Sequence, residues 1–171
     1  MRGTDGNFIW IGDGITLARS WPEDVALVNA NLREWDRREA QVFDGGRPDR
    51  LEDFESCWTI RDGGDVVGFF GMRTFADESP MSRNRFLVEL TTEHVWKMKV
   101  KYVRLSRKVF RAVCGRAPSW VTDFWTLPMK AYGGTVKWQE RVLGMRRVKE
   151  IEVEGVAHVL LHIARKEIGK W

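Results

Sequence analysis

Two pairs of strand patterns, each joined by a short glycine-containing turn, restrict the fold of this chain more than any other feature. The turns are Asp-Gly-Gly-Asp at 62–65 and Glu-Gly at 154–155, where glycine can adopt the positive φ that tight hairpins need. The β-branched and aromatic residues on both sides of each turn predict antiparallel pairs. With the patterns found elsewhere, the predicted strands are 14–18, 57–61, 66–72, 85–91, 120–125, 146–153 and 156–164.

Three helix patterns interrupt these strands. The first begins with a capping box, Ser20 and Glu23, and continues with apolar residues spaced three or four apart: Val25, Val28, Leu32 and Trp35. The second covers 93–116, and the third covers 135–143 before Gly144, which suits a left-handed helix end. The chain is therefore predicted to be α/β in the broad sense (α+β), with a mixed, mostly antiparallel central sheet flanked by helices.

The length of the chain suits one domain over 1–171. A chain of 171 residues buries roughly 70% of its unfolded surface when it folds, so it needs no disulfide or metal ion to hold the fold together. No apolar run approaches the roughly 18 residues that span a bilayer, and the first seven residues lack the apolar stretch of a signal peptide. We expect no membrane association. Cys57 and Cys114 belong to no Cys/His cluster, so we expect reduced, buried thiols and no metal site.

Positive charge is concentrated in the second helix pattern. Segment 93–116 contains eight Lys or Arg and one acid, giving +7 and leaving −3 for the rest of the chain. Helical spacing places one set of cations on a single face, here called the basic face: Lys97, Lys101, Arg104, Lys108 and Arg111. A neighbouring apolar stripe, Met98, Tyr102, Leu105, Val109 and Ala112, would pack inward. The basic face is either solvated surface or a site for an acidic partner, which could be a protein, nucleic acid or cofactor phosphates.

The order of the elements resembles the GNAT acyltransferase fold. Segment 136–147, Val-Lys-Trp-Gln-Glu-Arg-Val-Leu-Gly-Met-Arg-Arg, is similar to the late helix of that superfamily, which ends on a glycine and an apolar residue before the sixth strand. Over 66–163 the chain also resembles the small internal virion proteins of short-tailed coliphages, a family with a GNAT-like domain. This second resemblance is carried by 86–96, by the basic helix around 107–111, by the Trp-rich fifth strand and by Leu143-Gly144.

The GNAT resemblance implies a place for a cofactor. The pantetheine arm of acyl-CoA would pair with backbone groups of the fourth strand, here Leu90, Thr91 and Thr92. The pyrophosphate would meet a glycine-rich helix start, since anions favour that end of a helix. This chain has no glycine between Thr91 and Cys114, and lysines including Lys99 and Lys101 stand there instead. We therefore expect no cofactor, while acetyl-CoA bound through those lysines stays an alternative.

The same resemblance implies catalytic positions. The superfamily's late-helix Tyr, which protonates the departing thiolate, is replaced by Glu140, while Tyr132 lies eight residues upstream. Glu89 and Asp123, on the two strands that would separate, are the candidate bases for an amine.

The histidines do not predict a metal site. His158 and His162 share a strand face but stand about 13 Å apart, too far for one metal ion. His94 is favoured as a helix cap.

The leading hypothesis is a bacteriophage protein with a degenerate acetyltransferase-like domain. It would bind a phage or bacterial host protein with an acidic surface during virion assembly or host takeover, in the host cytoplasm or associated with the virion. The alternative is an acyl-CoA-dependent N-acetyltransferase with an atypical phosphate-binding loop. A nucleic-acid-binding module comes third, because no recognised DNA-reading motif is present.

Overall fold

Eight strands form one sheet in the computed structural model, which describes residues 7–32, 34–74, 80–86 and 92–168, with side chains described at 7–32, 36–72 and 104–168. The spatial order is β1-β2-β3-β4-β5-β6-β8-β7. The strands are β1 (Phe8–Gly12), β2 (Ile15–Arg19), β3 (Ser56–Asp62), β4 (Asp65–Thr74), β5 (Pro80–Phe86), β6 (Asp123–Thr126), β7 (Arg146–Val153) and β8 (Val156–Ala164). Every neighbouring pair is antiparallel except β5 and β6, which are parallel.

Helices cover both faces of this sheet, which confirms the predicted fold class. They are α1 (Pro22–Ala30), α2 (Glu34–Asp44), α3 (Thr92–Gly115), α4 (Gly133–Arg141) and the short α5 (Arg165–Ile168), with a 3₁₀ turn at Leu51–Asp53.

The alternation of side chains along β4 divides the core between the two faces. Phe69 is fully buried with Val25 and Val28 of α1 on one face. Phe70, its neighbour, points to the other face, where its ring centroid lies 5.8 Å from that of Phe110 in α3. The larger apolar cluster is on this second face and continues along β8 with Val159, Leu161 and Ile163. α3 is therefore held by its apolar side, as the helical periodicity predicted.

The start of the first helix differs from the prediction. Trp21, not Ser20, precedes α1, and its N–H donates to the carboxylate of Asp24 at 3.1 Å. Ser20 is held by the sheet instead, because its N–H donates to the Cys57 carbonyl at 3.0 Å and its hydroxyl lies 2.9 Å from that of Thr59. The single periodic pattern also forms two helices, since α1 ends at Ala30.

Two strands and the last helix are displaced along the chain. The predicted strand 85–91 is β5 at Pro80–Phe86, and 87–91 lie outside the described residues. The predicted strand 120–125 begins only at Asp123, and α4 begins at Gly133 rather than Thr135.

The left-handed Gly144 and the final hairpin are confirmed, although α4 ends at Arg141 and not at Leu143. Gly144 has φ 69°, and the Met145 N–H after it donates back to the Gln139 carbonyl at 3.1 Å. β7 and β8 have the predicted bounds.

Candidate active site

A gap opens between the two parallel strands of the sheet. Among the described residues, Met81 and Trp125 form the register pair that joins β5 to β6. Beyond Thr126 the chain continues along β8: the Val159 N–H donates to the Pro128 carbonyl and the Lys130 N–H donates to the Ala157 carbonyl, both at 2.9 Å. Among the described residues no register pair joins β5 to the chain beyond Trp125, so the two strands pair near the start of β5 and are unpaired toward their carboxyl ends.

Backbone amides line one side of this gap. Along an extended chain, successive residues direct their N–H and C=O groups to opposite sides. Since Pro128 and Lys130 bond to β8, the N–H groups of Leu127 and Met129 are directed away from β8, to the side on which β5 lies. The Met129 carbonyl accepts from the Tyr132 N–H at 3.1 Å, which turns the chain into α4.

Tyr132 lies at the wide end of the gap, directly before α4. Its ring is half-buried, and the guanidinium carbon of Arg38 in α2 lies 6.0 Å from the ring centroid. The Tyr132 ring is thus near Arg38 of α2, directly after the segment that carries the amides of 127–129. Glu140, which occupies the superfamily's Tyr position, is engaged elsewhere, since it accepts from Arg147 Nε at 3.1 Å.

His158 is fully buried beside this wide end. It pairs with Met129 across an isolated bridge, and its Nδ1 lies 2.8 Å from the Val156 carbonyl. The Phe43 ring of α2 contacts the imidazole edge-on, with centroids 4.9 Å apart. The remaining nitrogen, Nε2, is buried without a hydrogen-bond partner in the described part of the chain. Neither Phe43 nor Arg38 was singled out from the sequence, because contacts of α2 with β8 and α4 leave no local pattern.

Asp123 and His162 meet at the closed end of the gap. His162 Nε2 lies 2.7 Å from Asp123 Oδ1, and the Thr122 hydroxyl donates to Asp123 Oδ2 at 2.7 Å. The hydrogen bonds from Thr122 and His162 hold the pKa of the Asp123 carboxyl below its ordinary value. The rings of His162 and Trp125 are in contact, with centroids 4.4 Å apart. The sequence named Asp123 as a candidate base but gave no sign of this partner, which is 39 positions away.

The other predicted site residues are placed only in part. Glu89, Leu90 and Thr91 lie outside the described residues. Thr92 is the first residue of α3, and the helix then carries Lys97, Lys99 and Lys101, whose side chains are not described.

The rest of the basic face is described. Arg104, Lys108 and Arg111 are exposed, while Leu105 and Val109 are buried. Arg104 pairs with Asp13 in the turn between β1 and β2. The amphipathic character predicted for this helix is therefore present where its side chains are described.

Both cysteines are buried and unpaired. Burial raises the pKa of the Cys57 thiol to about 11 and that of Cys114 well above its ordinary value. Neither thiol is a ready nucleophile at neutral pH. No helix within the described ranges is long and apolar enough to cross a membrane.

An antiparallel sheet with one diverging parallel pair, whose two strands are connected by a long helix, defines the GNAT acetyltransferase class of folds, and this chain has that fold. Solved structures of this class are similar to it over almost their full length. Aminoglycoside acetyltransferase AAC(6')-Ib in complex with ribostamycin and coenzyme A matches with a TM-score of 0.66 and 14% identity, over 92% of this chain and 97% of that one. A mutant of spermidine N-acetyltransferase SpeG from Vibrio cholerae matches with a TM-score of 0.61 and 9% identity, over 92% and 97%.

Comparison by sequence gives nothing further. No protein-family model matches the chain, and no curated protein matches it. The structural matches therefore show the GNAT-like fold, and the resemblance to coliphage internal virion proteins finds no support in them.

Proposed function

We propose that the protein is an acyl-CoA-dependent N-acyltransferase whose acyl donor enters the gap between β5 and β6. The observation that carries this proposal is the separation of the two parallel strands beyond the Met81–Trp125 pair. A backbone edge freed in this way offers hydrogen bonds to an extended chain containing amides, which is the chemistry of a pantetheine arm. The similar AAC(6')-Ib structures were determined in complex with coenzyme A or acetyl-CoA, whereas the glycine-free helix start led us to expect no cofactor.

The residues present fit an acyl thioester at its reactive end. The acyl donor supplies an activated carbonyl carbon to an attacking amine. The amides of Leu127 and Met129 are directed to the side where such a carbonyl oxygen would develop negative charge, and fixed N–H donors stabilise that charge. Tyr132 follows these amides directly before α4, and its hydroxyl can donate a proton to the departing thiolate.

The phosphate end differs from the glycine-rich arrangement. α3 begins at Thr92, so its first turn presents free backbone N–H groups, and Lys97, Lys99 and Lys101 follow within three turns. Lysines bind phosphate as point charges on long, flexible stems and need no close backbone approach. We propose that they replace the glycine loop as the phosphate-binding element.

Calorimetric titration with acetyl-CoA tests the proposal. We expect a dissociation constant in the micromolar range, about −8 kcal/mol. The triple variant Lys97→Glu, Lys99→Glu, Lys101→Glu should bind at least roughly tenfold more weakly, because it repels the phosphates. The triple variant Arg104→Glu, Lys108→Glu, Arg111→Glu is the matched control, since it makes the same charge change at exposed positions further along α3. Absence of binding at millimolar acetyl-CoA would contradict the enzyme function.

A second candidate function is the binding of an acidic protein partner by the basic face. It is favoured by the exposure of Arg104, Lys108 and Arg111 on a helix whose opposite side, including Val109, is anchored in the core. The resemblance to coliphage internal virion proteins would place this binding in virion assembly or host takeover. An intact fold with no affinity for acetyl-CoA would favour this second function, and strongly salt-dependent binding to DNA would favour a nucleic-acid partner instead.

A further inference from the structure

The two edges of the sheet differ in charge. A strand at an edge offers a row of unpaired N–H and C=O groups to any other strand, and charged side chains on that strand oppose such pairing. β7 forms one edge, and most of its residues are charged: Arg146, Arg147, Lys149, Glu150 and Glu152. β1 forms the other edge, and its sequence, Phe-Ile-Trp-Ile-Gly, contains no ionisable residue and no proline. The side chains of β1 therefore do not oppose the addition of a further strand.

The pairing of β1 with β2 shows which backbone groups of β1 are directed outward. The Arg19 N–H donates to the Asn7 carbonyl at 3.1 Å, so these two residues form a hydrogen-bonded pair directly before β1. Such pairs alternate along an antiparallel ladder, and the register continues without a shift from Phe8 to Trp10. The groups of Ile9 are therefore directed to β2, and those of Phe8 and Trp10 are directed away from it. Within the described part of the chain, no strand lies on that outer side.

The side chains of Phe8 and Trp10 share one face of β1. Ile9 and Ile11 alternate with them and pack against the core cluster beneath α3. On the face of Phe8 and Trp10, α1 lies farther along the sheet, over Phe69 of β4. Phe8 is 51% exposed and Trp10 is 64% exposed. Two large rings thus lie uncovered by the described residues, beside the open edge.

We propose that β1 pairs antiparallel with β1 of a second copy of this chain, which gives a two-fold symmetric dimer with one continuous sheet. The hydrogen-bonded positions must join residues whose groups are directed outward on both strands. The register that satisfies both residues of both copies places Phe8 opposite Trp10 of the partner subunit, with Ile9 at the two-fold axis. Each Phe8 ring then lies across from the indole of the partner's Trp10, as an aromatic cross-strand pair. Because β1 carries no charge, the symmetry brings no like charges together along this strand.

The area available limits the strength of this dimer. An aromatic side chain has about 150 to 250 Å² to bury, so Phe8 and Trp10 supply about 250 Å² per copy. Trp21 is 70% exposed and comes shortly after Arg19, which is paired with Asn7 before β1, and it adds about 150 Å². Together with the strand backbones, two copies bury about 1,000 Å², which is the lower limit for a specific interface. We therefore expect a dissociation constant in the micromolar range.

Sedimentation velocity of the full chain at about 1 to 300 µM tests this dimer, and it needs no ligand in the gap between β5 and β6. We expect wild type to change from monomer to dimer over this range. Trp10→Lys places a charge beside the two-fold axis and should weaken association at least roughly tenfold. Trp120→Lys is the matched control, because Trp120 is 56% exposed and lies in the turn before β6, and this variant should associate as wild type does. Circular dichroism checks that both variants are folded.

The variants Phe8→Pro and Phe8→Ala separate backbone pairing from the loss of a ring. Both remove the ring, but only proline removes the outward N–H, and proline is tolerated at the first residue of a strand. The dimer would lose two symmetry-related hydrogen bonds, so Phe8→Pro should associate roughly fivefold more weakly than Phe8→Ala, or weaker still. Equal association of the two variants would contradict strand pairing.

Salt and mass distinguish this dimer from other contacts. Each copy carries a net charge of +4, so raised salt should leave association unchanged or strengthen it. Dissociation at raised salt would place the contact on the basic face and overturn the role of β1. A mass that grows beyond two copies would indicate head-to-tail pairing of β1 with β7 and would overturn the two-fold arrangement. The proposal also fails if wild type stays monomeric over the whole range, or if Trp10→Lys associates as strongly as wild type.

Discussion

Asp24 of α1 and Arg61 of β3 form a mostly buried ion pair, with Oδ1 and Nη2 2.9 Å apart. The other carboxylate oxygen accepts from the Trp21 N–H at 3.1 Å and lies 2.8 Å from the Thr59 hydroxyl. One side chain therefore fixes the start of α1 and attaches that helix to the sheet.

Replacing Asp24 by Ala should lower the free energy of unfolding by about 3 kcal/mol, because it leaves Arg61 and the Trp21 amide before α1 without their partner. Urea denaturation followed by circular dichroism measures this. Glu23→Ala, an exposed change in the same turn, should cost less than about 1 kcal/mol. Similar midpoints for the two variants would show that the ion pair contributes little.

Replacing Arg165 should also lower the free energy of unfolding. Its guanidinium donates to the carbonyls of Gly115, Ala117, Pro118 and Val121 at 2.6 to 3.2 Å, which closes the end of α3 against α5. Lysine keeps the charge but cannot reach four carbonyls with a planar fork, so Arg165→Lys should cost about 2 kcal/mol. Thermal melting is the measurement, with Lys166→Ala as the exposed neighbour for comparison. A Tm equal to that of wild type would contradict this prediction.

The Cys57 thiol should make stability depend on alkaline pH. Its pKa is about 11 in the fold against about 9 in the unfolded chain, so folding holds the proton that the unfolded state releases. Stability is therefore unaffected below about pH 9 and falls as the pH rises toward 11, by up to about 3 kcal/mol. The free energy of unfolding of wild type and Cys57→Ala should converge over this interval. Parallel curves would show that the thiol is not protected by burial.

Replacing Tyr132 should lower kcat and leave the affinity for acetyl-CoA unchanged. Tyr132→Phe removes the proton donor but keeps the ring beside Arg38, so kcat with acetyl-CoA should fall on the order of 100-fold while the affinity for acetyl-CoA stays constant. Stopped assays of thiol release, with calorimetry on the same samples, separate the two quantities. A parallel loss of affinity would assign Tyr132 to donor binding instead.

The second candidate function has its own test at the basic face. Reversal of Lys101, Arg104, Lys108 and Arg111 to Glu should leave the fold largely intact, since the exposed charges of the three described residues contribute within about 0.5 kcal/mol each, even where Arg104 pairs with Asp13. It should abolish capture of an acidic protein in a pull-down from lysate, and raised salt should weaken capture by wild type. A folded mutant that captures the same proteins as wild type would mean that the basic face is ordinary solvated surface.

The predictable parts of the fold are the elements that depend on residues close together in the sequence. The hairpins around 62–65 and 154–155 follow from turn glycines and strand propensity, and Gly63 and Gly155 do have positive φ, 66° and 74°. β1 was not predicted, because its two exposed aromatic residues, Phe8 and Trp10, do not give the alternation of polar and apolar residues typical of a half-buried strand. β5 was misplaced because its residues are mostly polar.

The candidate site was less predictable than the fold. Tyr132 and Asp123 could be named from their positions relative to Gly144 and the fifth strand. The partners that give them chemical character could not, because His162 reaches Asp123 from 39 positions away and Arg38 reaches Tyr132 from a different helix. The first contact exists only once β6 and β8 have paired, and the second only once α2 lies beside the start of α4.

The diverging strands also bear on the order in which the molecule assembles. β3 joins β2 only after α1 and α2, and β6 joins β5 only after α3, so both pairings close long loops. The two pairings differ in extent, because every residue of β2 is paired with β3. With Met81–Trp125 as the described register pair between them, much of the cohesion comes from Phe110 of α3, whose ring lies 5.8 Å from Phe70 and 6.4 Å from Phe124. The three carboxyl-terminal strands should therefore dock late in folding, and amide hydrogens of β6 should exchange with solvent sooner than those of β3.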